Sequence, residues 1–172
     1  GTAAGVIPEP TYDVAVVDGA YDEWNLTDDF FCPMYRDGDP NLPLTARIHL
    51  RYDCQTGTMY VLVLTEPGVT AVMSPYDAWI EVVGRNGRVF DGDPLNDGVP
   101  SDFAWVNSGY EGKFPIFEGV HELIFHLLVD DESQQRTSAT AGYPDSGCQV
   151  LIDCGAVPVQ PATWGGIKQT YR

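Results

Sequence analysis

The residues of this sequence that could do chemistry are its acids, histidines and cysteines, and their spacing decides what each could do. Asp91-Gly92-Asp93-Pro94-Leu95-Asn96-Asp97-Gly98 brings three carboxylates and an amide into one Gly-bent loop. Hard cations such as Ca²⁺ take several oxygens at once, so Asp91, Asp93 and Asp97 form a candidate calcium site. Leu95, however, stands at the fifth position of the frame an EF-hand would need. Asp37-Gly38-Asp39-Pro40-Asn41 repeats the opening of that pattern, with Leu42 where Gly is required. For both loops the competing reading is a solvated acidic turn. In His121-Glu122-Leu123-Ile124-Phe125-His126 the second histidine comes one residue too late for the HExxH zinc motif. On a strand the two rings would point to opposite sides. Ser146 lies outside any G-x-S-x-G frame and has no catalytic partner nearby in sequence. Asp130-Asp131-Glu132 could supply the paired carboxylates of a glycosidase. In a chain with 25 Asp and Glu, though, such runs are the expected wet surface. No catalytic constellation emerges, and the expectation is a protein that is not an enzyme, with an acidic hydrolase as the outlying alternative.

The four cysteines, Cys32, Cys54, Cys148 and Cys154, form an even set without a CxxC pair. Zinc and thioredoxin-type readings are therefore weak, and two disulfides in an oxidising compartment are expected over buried free thiols. Sequence leaves all three pairings open; the argument that closing long loops restrains the unfolded chain most favours Cys54 with Cys154 and Cys32 with Cys148. The chain opens Gly1-Thr2-Ala3-Ala4, as a secreted chain would after loss of its leader. Asn25-Leu26-Thr27 is an N-glycosylation sequon, with Asn25 as acceptor.

The elements that position these groups are constrained by length and composition. With 172 residues, one domain burying roughly 70% of its unfolded surface needs no metal to complete a core. Nine Lys and Arg against 25 acids give a net charge of -16, which repels nucleic acid and anionic membrane surfaces alike. The longest apolar run, Met59 to Leu64, is too short to span a bilayer. An apolar fraction of 44% excludes a disordered acidic tail.

Hydrophobic alternation dominates the chain. Leu44, Ala46, Ile48, Leu50 and Tyr52 point one way and Thr45, Arg47, His49 and Arg51 the other, predicting a half-buried strand. Met59 to Leu64 is apolar on both faces, predicting a central strand paired with it in a hairpin. Asp77 to Val83 reads as another strand, turned at Asn86-Gly87 into Val89-Phe90, because both turn residues tolerate positive φ. Further strands are expected at 102–107, 110–116, 120–130, 148–153 and 156–163. Short spacing and frequent Gly and Pro predict an all-β antiparallel sandwich, with an extended N-terminal arm over 1–11 and a single domain over 12–172. Among the tryptophans, Trp79 is expected in the core, Trp105 shares a face with Phe103, and Trp164, beside a Gly-Gly pair, is the candidate sugar platform.

Val17-Asp18-Gly19-Ala20-Tyr21-Asp22-Glu23-Trp24 resembles the opening of the DOMON-like sandwiches that include family-9 carbohydrate-binding modules. Arg51-Tyr52-Asp53 followed by Thr58-Met59-Tyr60-Val61 is similar to their next element, and Asp77-Ala78-Trp79-Ile80-Glu81-Val82 to the strand after it. The likeness covers about residues 17–90. It implies a jelly-roll-like β-sandwich, found mostly as a secreted module that binds sugars, haem or nothing known. Neither a haem-ligating Met/His pair nor a sugar-clamping Trp pair maps onto numbered positions here, so the ligand stays open.

The arm suggests a role of its own. Val6, Ile7 and Pro8 lie in a small, apolar, Pro-bearing stretch, and chain ends fray unless they dock on something. Docked on the sheet edge of the next copy, the arm would join subunits head to tail into a filament; docked at home, it would not. The leading expectation is thus a secreted, extracellular structural or surface-assembly subunit polymerising by strand addition. The alternative is a carbohydrate-binding module that holds polysaccharide.

Overall fold

The computed structural model describes residues 5–74, 76–85, 88–90, 102–142 and 148–156. Within them run β1 (Phe30–Arg36), β2 (Leu44–Asp53), β3 (Thr58–Thr65), β4 (Thr70–Ala71), β5 (Ala78–Val82), β6 (Arg88–Val89), β7 (Asp102–Val106), β8 (Gly109–Pro115), β9 (Gly119–Asp130), β10 (Arg136–Ala141) and β11 (Cys148–Ile152), closed by a 3-10 turn at Cys154–Ala156. The strands pair antiparallel in the order β6-β5-β9-β10-β1-β2-β3-β8-β7, and β4 and β11 also pair with β9.

One continuous core explains how this sheet is shaped. Ile80 of β5 and Leu123, Phe125 and Leu127 of β9 are buried in the same cluster as Ile48 and Leu50 of β2 and Tyr110 and Phe114 of β8. These residues come from opposite ends of the strand order, so the sheet folds over onto itself and makes the two layers of an all-β sandwich. The fold-over runs through β1, whose pairing with β2 is broken by register shifts at Phe30/Cys32 and Met34/Tyr35. Such bulges bend a strand and sharpen its twist.

The expected hairpin is present as β2 and β3, in register from Asp53↔Thr58 to Ala46↔Thr65. β3 lies between β2 and β8, as its two-sided apolar sequence requires. The expectation that β2 is half-buried is corrected: Thr45, His49 and Arg51 are buried as well, and Arg47 alone of that face stays in water. The cover is the segment at 12–29, which lies across the outside of the sheet. Trp24, Tyr60, Leu62 and Val106 form a second small core there, with Ala15, Tyr21 and Leu64 against it. Arg51 ties the cover down: Nε donates to Asp29 Oδ2 at 2.8 Å, and its two amino groups donate to the carbonyls of Val14 and Glu23, both at 2.7 Å. Its guanidinium also lies over the Trp24 ring. On β8, Glu111 Oε1 accepts from the backbone N–H groups of Asp18 and Gly19. The acidic-Trp element of the sequence is thus held by one buried cation and one buried carboxylate.

β1, β4 and β10 were not among the expected strands. β1 carries Pro33, which lacks the N–H of a ladder donor, and β10 reads Arg-Thr-Ser-Ala-Thr-Ala, without a large apolar side chain. The strand expected at 156–163 lies outside the described residues except for Ala156, which ends the 3-10 turn, and so does the Asn86-Gly87 turn. The short β5–β6 pairing, Ile80↔Val89 and Glu81↔Arg88, flanks Asn86-Gly87.

Candidate functional site

β5 reads Ala78-Trp79-Ile80-Glu81-Val82, and its burial alternates with it. Ala78, Ile80 and Val82 enter the core, so the pleat turns Trp79 and Glu81 to the outer face. The expectation that Trp79 is a core residue is therefore corrected: it is half-buried, on the face of the sandwich away from the core. β9 supplies its neighbour. Trp79 and His126 are directly opposite in the ladder, and their rings stack with centroids 4.9 Å apart and planes 16° apart. From β6, on the other side of β5, the Arg88 guanidinium lies 3.8 Å from the Trp79 ring centroid.

These side chains line a groove of about 570 Å³, with Glu81, Ile124, Ser138, Thr140 and Asp37. Asp37 is fixed at its rim: its N–H donates to the Ser138 carbonyl, and its Oδ1 accepts from Ser138 Oγ at 2.9 Å. It takes a left-handed φ of 52°, followed by Gly38 at 74°, which turns the chain sharply out of β1. Burial holds the His126 imidazole below its ordinary pKa; Asp77 opposes that shift and Arg88 adds to it. The ring is therefore neutral at neutral pH. The groove combines aromatic surface, one guanidinium, two carboxylates and two hydroxyls, the groups that stack on and hydrogen-bond a polyhydroxylated ring. His126 and the Arg88 guanidinium both lie against the Trp79 ring, so a sugar stacking on the indole would have to displace Arg88.

The other sequence-derived candidates fall elsewhere. Cys32 bonds to Cys148 and Cys54 to Cys154, closing loops that span 116 and 100 residues of sequence. Asn25 is exposed, with Oδ1 accepting from the N–H groups of Thr27 and Asp28 and Nδ2 donating to Asp28. The candidate calcium ligands Asp91, Asp93 and Asp97, Ser146 and the sugar-platform candidate Trp164 lie outside the described residues. In the second acidic loop, Asp37 is bound as above and Asp39 Oδ1 accepts from the N–H of Asn41. Among the described residues no group of three or more His, Cys, Asp or Glu is placed to hold a metal. His121 and His126 stand on opposite faces of β9, and His121 Nε2 bonds the Phe117 carbonyl. The arm is bound at home: the Pro8 carbonyl accepts from the N–H of Leu151, and Thr11 exchanges backbone bonds with Leu50 and Tyr52. Val6 is 93% exposed.

Sequence reasoning did not single out the Trp79 groove. The signal was present in the alternation of β5, because a strand that buries Ala78, Ile80 and Val82 puts Trp79 beside Glu81. The contributions of Ser138, Thr140 and His126 depend on β10 pairing with β9, which local pattern does not reveal.

Among solved structures, the chain is similar to a family-9 carbohydrate-binding module from Caldicellulosiruptor kristjanssonii in complex with glucose. The match has a TM-score of 0.50 and 16% identity, and covers 89% of this chain and 98% of that one. A family-9 module from the same organism in complex with cellotriose matches with a TM-score of 0.47 and 18% identity, over 90% of this chain and 99% of that one. No protein-family model and no curated protein matches the sequence. The continuous core, the antiparallel order and the near-complete overlap with the glucose complex agree: this chain has the all-β fold of the family-9 carbohydrate-binding modules.

Proposed function

We propose that this protein is a non-catalytic carbohydrate-binding module of the extracellular space, and that the Trp79 groove holds the sugar. The observation that carries the reading is the half-buried indole of Trp79 set among Arg88, His126, Glu81 and Asp37 on an outer sheet face. With Arg88 displaced, the indole would offer a flat apolar face to the C–H side of a pyranose, and the surrounding charged and hydroxyl groups match its equatorial hydroxyls. A glucose-bound structure among proteins of the same fold adds support. Two disulfides fit an oxidising, extracellular setting.

The glycan reading is preferred to the filament reading because Pro8 and Thr11 are hydrogen-bonded to their own sandwich. The test is retention on insoluble cellulose, xylan, mannan and chitin. Wild type is expected to be held by at least one of them, and Trp79→Ala to wash through while keeping the wild-type melting curve. Passage of wild type through all four, or full retention of the Trp79→Ala variant, contradicts the proposal.

A further inference from the structure

The strand registers place a second aromatic residue in line with the first. Trp79 of β5 is opposite His126 of β9, His126 is opposite Thr140 of β10, and Thr140 is opposite Tyr35 of β1. Residues directly opposite in a ladder share a face, so Tyr35, Thr140, His126 and Trp79 form one row across four strands. Counted along the sheet, three strand spacings separate the ends of that row, about 14 Å, with the bend at β1 falling at the Tyr35 end.

Two hollows meet along it. The Trp79 groove ends at Thr140 and Asp37. A neighbouring cavity of about 390 Å³ begins at the same Thr140 and at Gly38, and continues over Tyr35 and Phe31 to the arm at Ile7 and Pro8. Thr140 lines both, and the turn at Asp37-Gly38 stands at their boundary, Asp37 lining one and Gly38 the other. The shared wall is a small hydroxyl side chain, and both ends carry a half-buried aromatic ring.

We infer that the two hollows are one cleft for several consecutive residues of a linear glycan. One sugar stacks at Trp79 and a later one at Tyr35, while the chain passes over Thr140. This rests on the Trp79 groove being a sugar site. It adds that the ligand is a chain spanning the row rather than a single sugar ring, and that the arm forms the far wall of the cleft. A row with Trp79 at one end and Tyr35 at the other suits a chain whose middle residues meet the Thr140 hydroxyl and the His126 imidazole and whose terminal residues stack.

Calorimetric titration with glucose, cellotriose and cellohexaose tests this against wild type and the variants Tyr35→Ala, Tyr35→Trp and Trp79→Ala. Wild type is expected to bind cellohexaose at least tenfold more tightly than glucose. Tyr35→Ala should lose about tenfold for cellohexaose and leave glucose unchanged, Tyr35→Trp should restore the cellohexaose affinity, and Trp79→Ala should abolish both. Equal affinity for glucose and cellohexaose, or a Tyr35→Ala loss that is the same for both, overturns the extended cleft while leaving the Trp79 site standing. A wild type that binds none of the three sugars removes the Trp79 reading and the cleft together.

Discussion

At the scale of single residues, the outer face of the β2–β3–β8 region depends on two charges taken out of water. Arg51 and Asp29 are both buried and bonded at 2.8 Å, and Arg51 additionally holds the carbonyls of Val14 and Glu23. Removing one member of such a pair leaves the other buried without a counter-charge. Arg51→Ala is therefore expected to destabilise the fold by about 3–5 kcal/mol in chemical denaturation. Glu111 behaves differently. Burial raises its pKa above the ordinary carboxylate value, more strongly than the N–H groups of Gly19 and Asp18 lower it. A carboxyl with a raised folded pKa weakens the fold while ionised, and that penalty fades as pH falls through the folded pKa. Glu111→Gln keeps an acceptor oxygen for the two N–H groups and removes the charge. Its stability relative to wild type is expected to be greatest at neutral pH and to decline on acidification, as read from melting curves across pH. His49 has the opposite sign. Burial lowers its pKa from 6.5, so its contribution is intact above that value and is lost as pH drops below it toward the folded pKa. None of these roles was legible in the sequence, because Arg51, His49 and Glu111 look like solvent-facing positions until the segment at 12–29 lies over them.

At the scale of elements, alternation predicted most of the strands that carry large side chains, since period-two burial leaves a mark that needs no tertiary information. It failed at β1, which Pro33 interrupts, and where burial is achieved with small residues. β10 buries Thr137, Ala139, Thr140 and Ala141, and that is the strand that completes the candidate site. β11, expected at 148–153, is present at Cys148–Ile152. It pairs with β9 at 119–123, and the two disulfides tie its start to β1 and the turn after it to the end of the β2–β3 hairpin. Replacing Cys54 and Cys154 together by Ala is expected to cost about 2–5 kcal/mol, and unfolding monitored by fluorescence measures it. The β7–β8 turn is set by one backbone approach: a Cβ on Gly109, whose φ is +152°, would lie 1.9 Å from the Val63 carbonyl oxygen. Gly109→Ala is expected to lower stability by about 1–3 kcal/mol, because a strand backbone cannot move aside as a side chain can.

At the scale of the whole molecule, the charge of -16 is spread through turns whose carboxylates hold their own backbone. Asp53 accepts from the N–H of Gln55 and the hydroxyl of Thr56, and Asp131 accepts from the N–H groups of Ser133 and Gln135. The acids thus act as turn caps as well as solvating groups, which composition alone did not reveal. Fold class and the hairpin were legible because they follow from pattern; the site was not, because it is assembled by register across β1, β10, β9 and β5. The account stands on Trp79 being the residue that meets a sugar, and the chain contains three other tryptophans as internal controls. The most direct measurement is the shift of indole N–H signals in a nuclear magnetic resonance titration with cellohexaose, each signal assigned by Trp-to-Phe variants. The account predicts a saturable shift of the Trp79 indole, accompanied by amides of β5, β9 and β10, with Trp24 and Trp105 unmoved. An unchanged Trp79 signal, or a shift confined to Trp164, would contradict it.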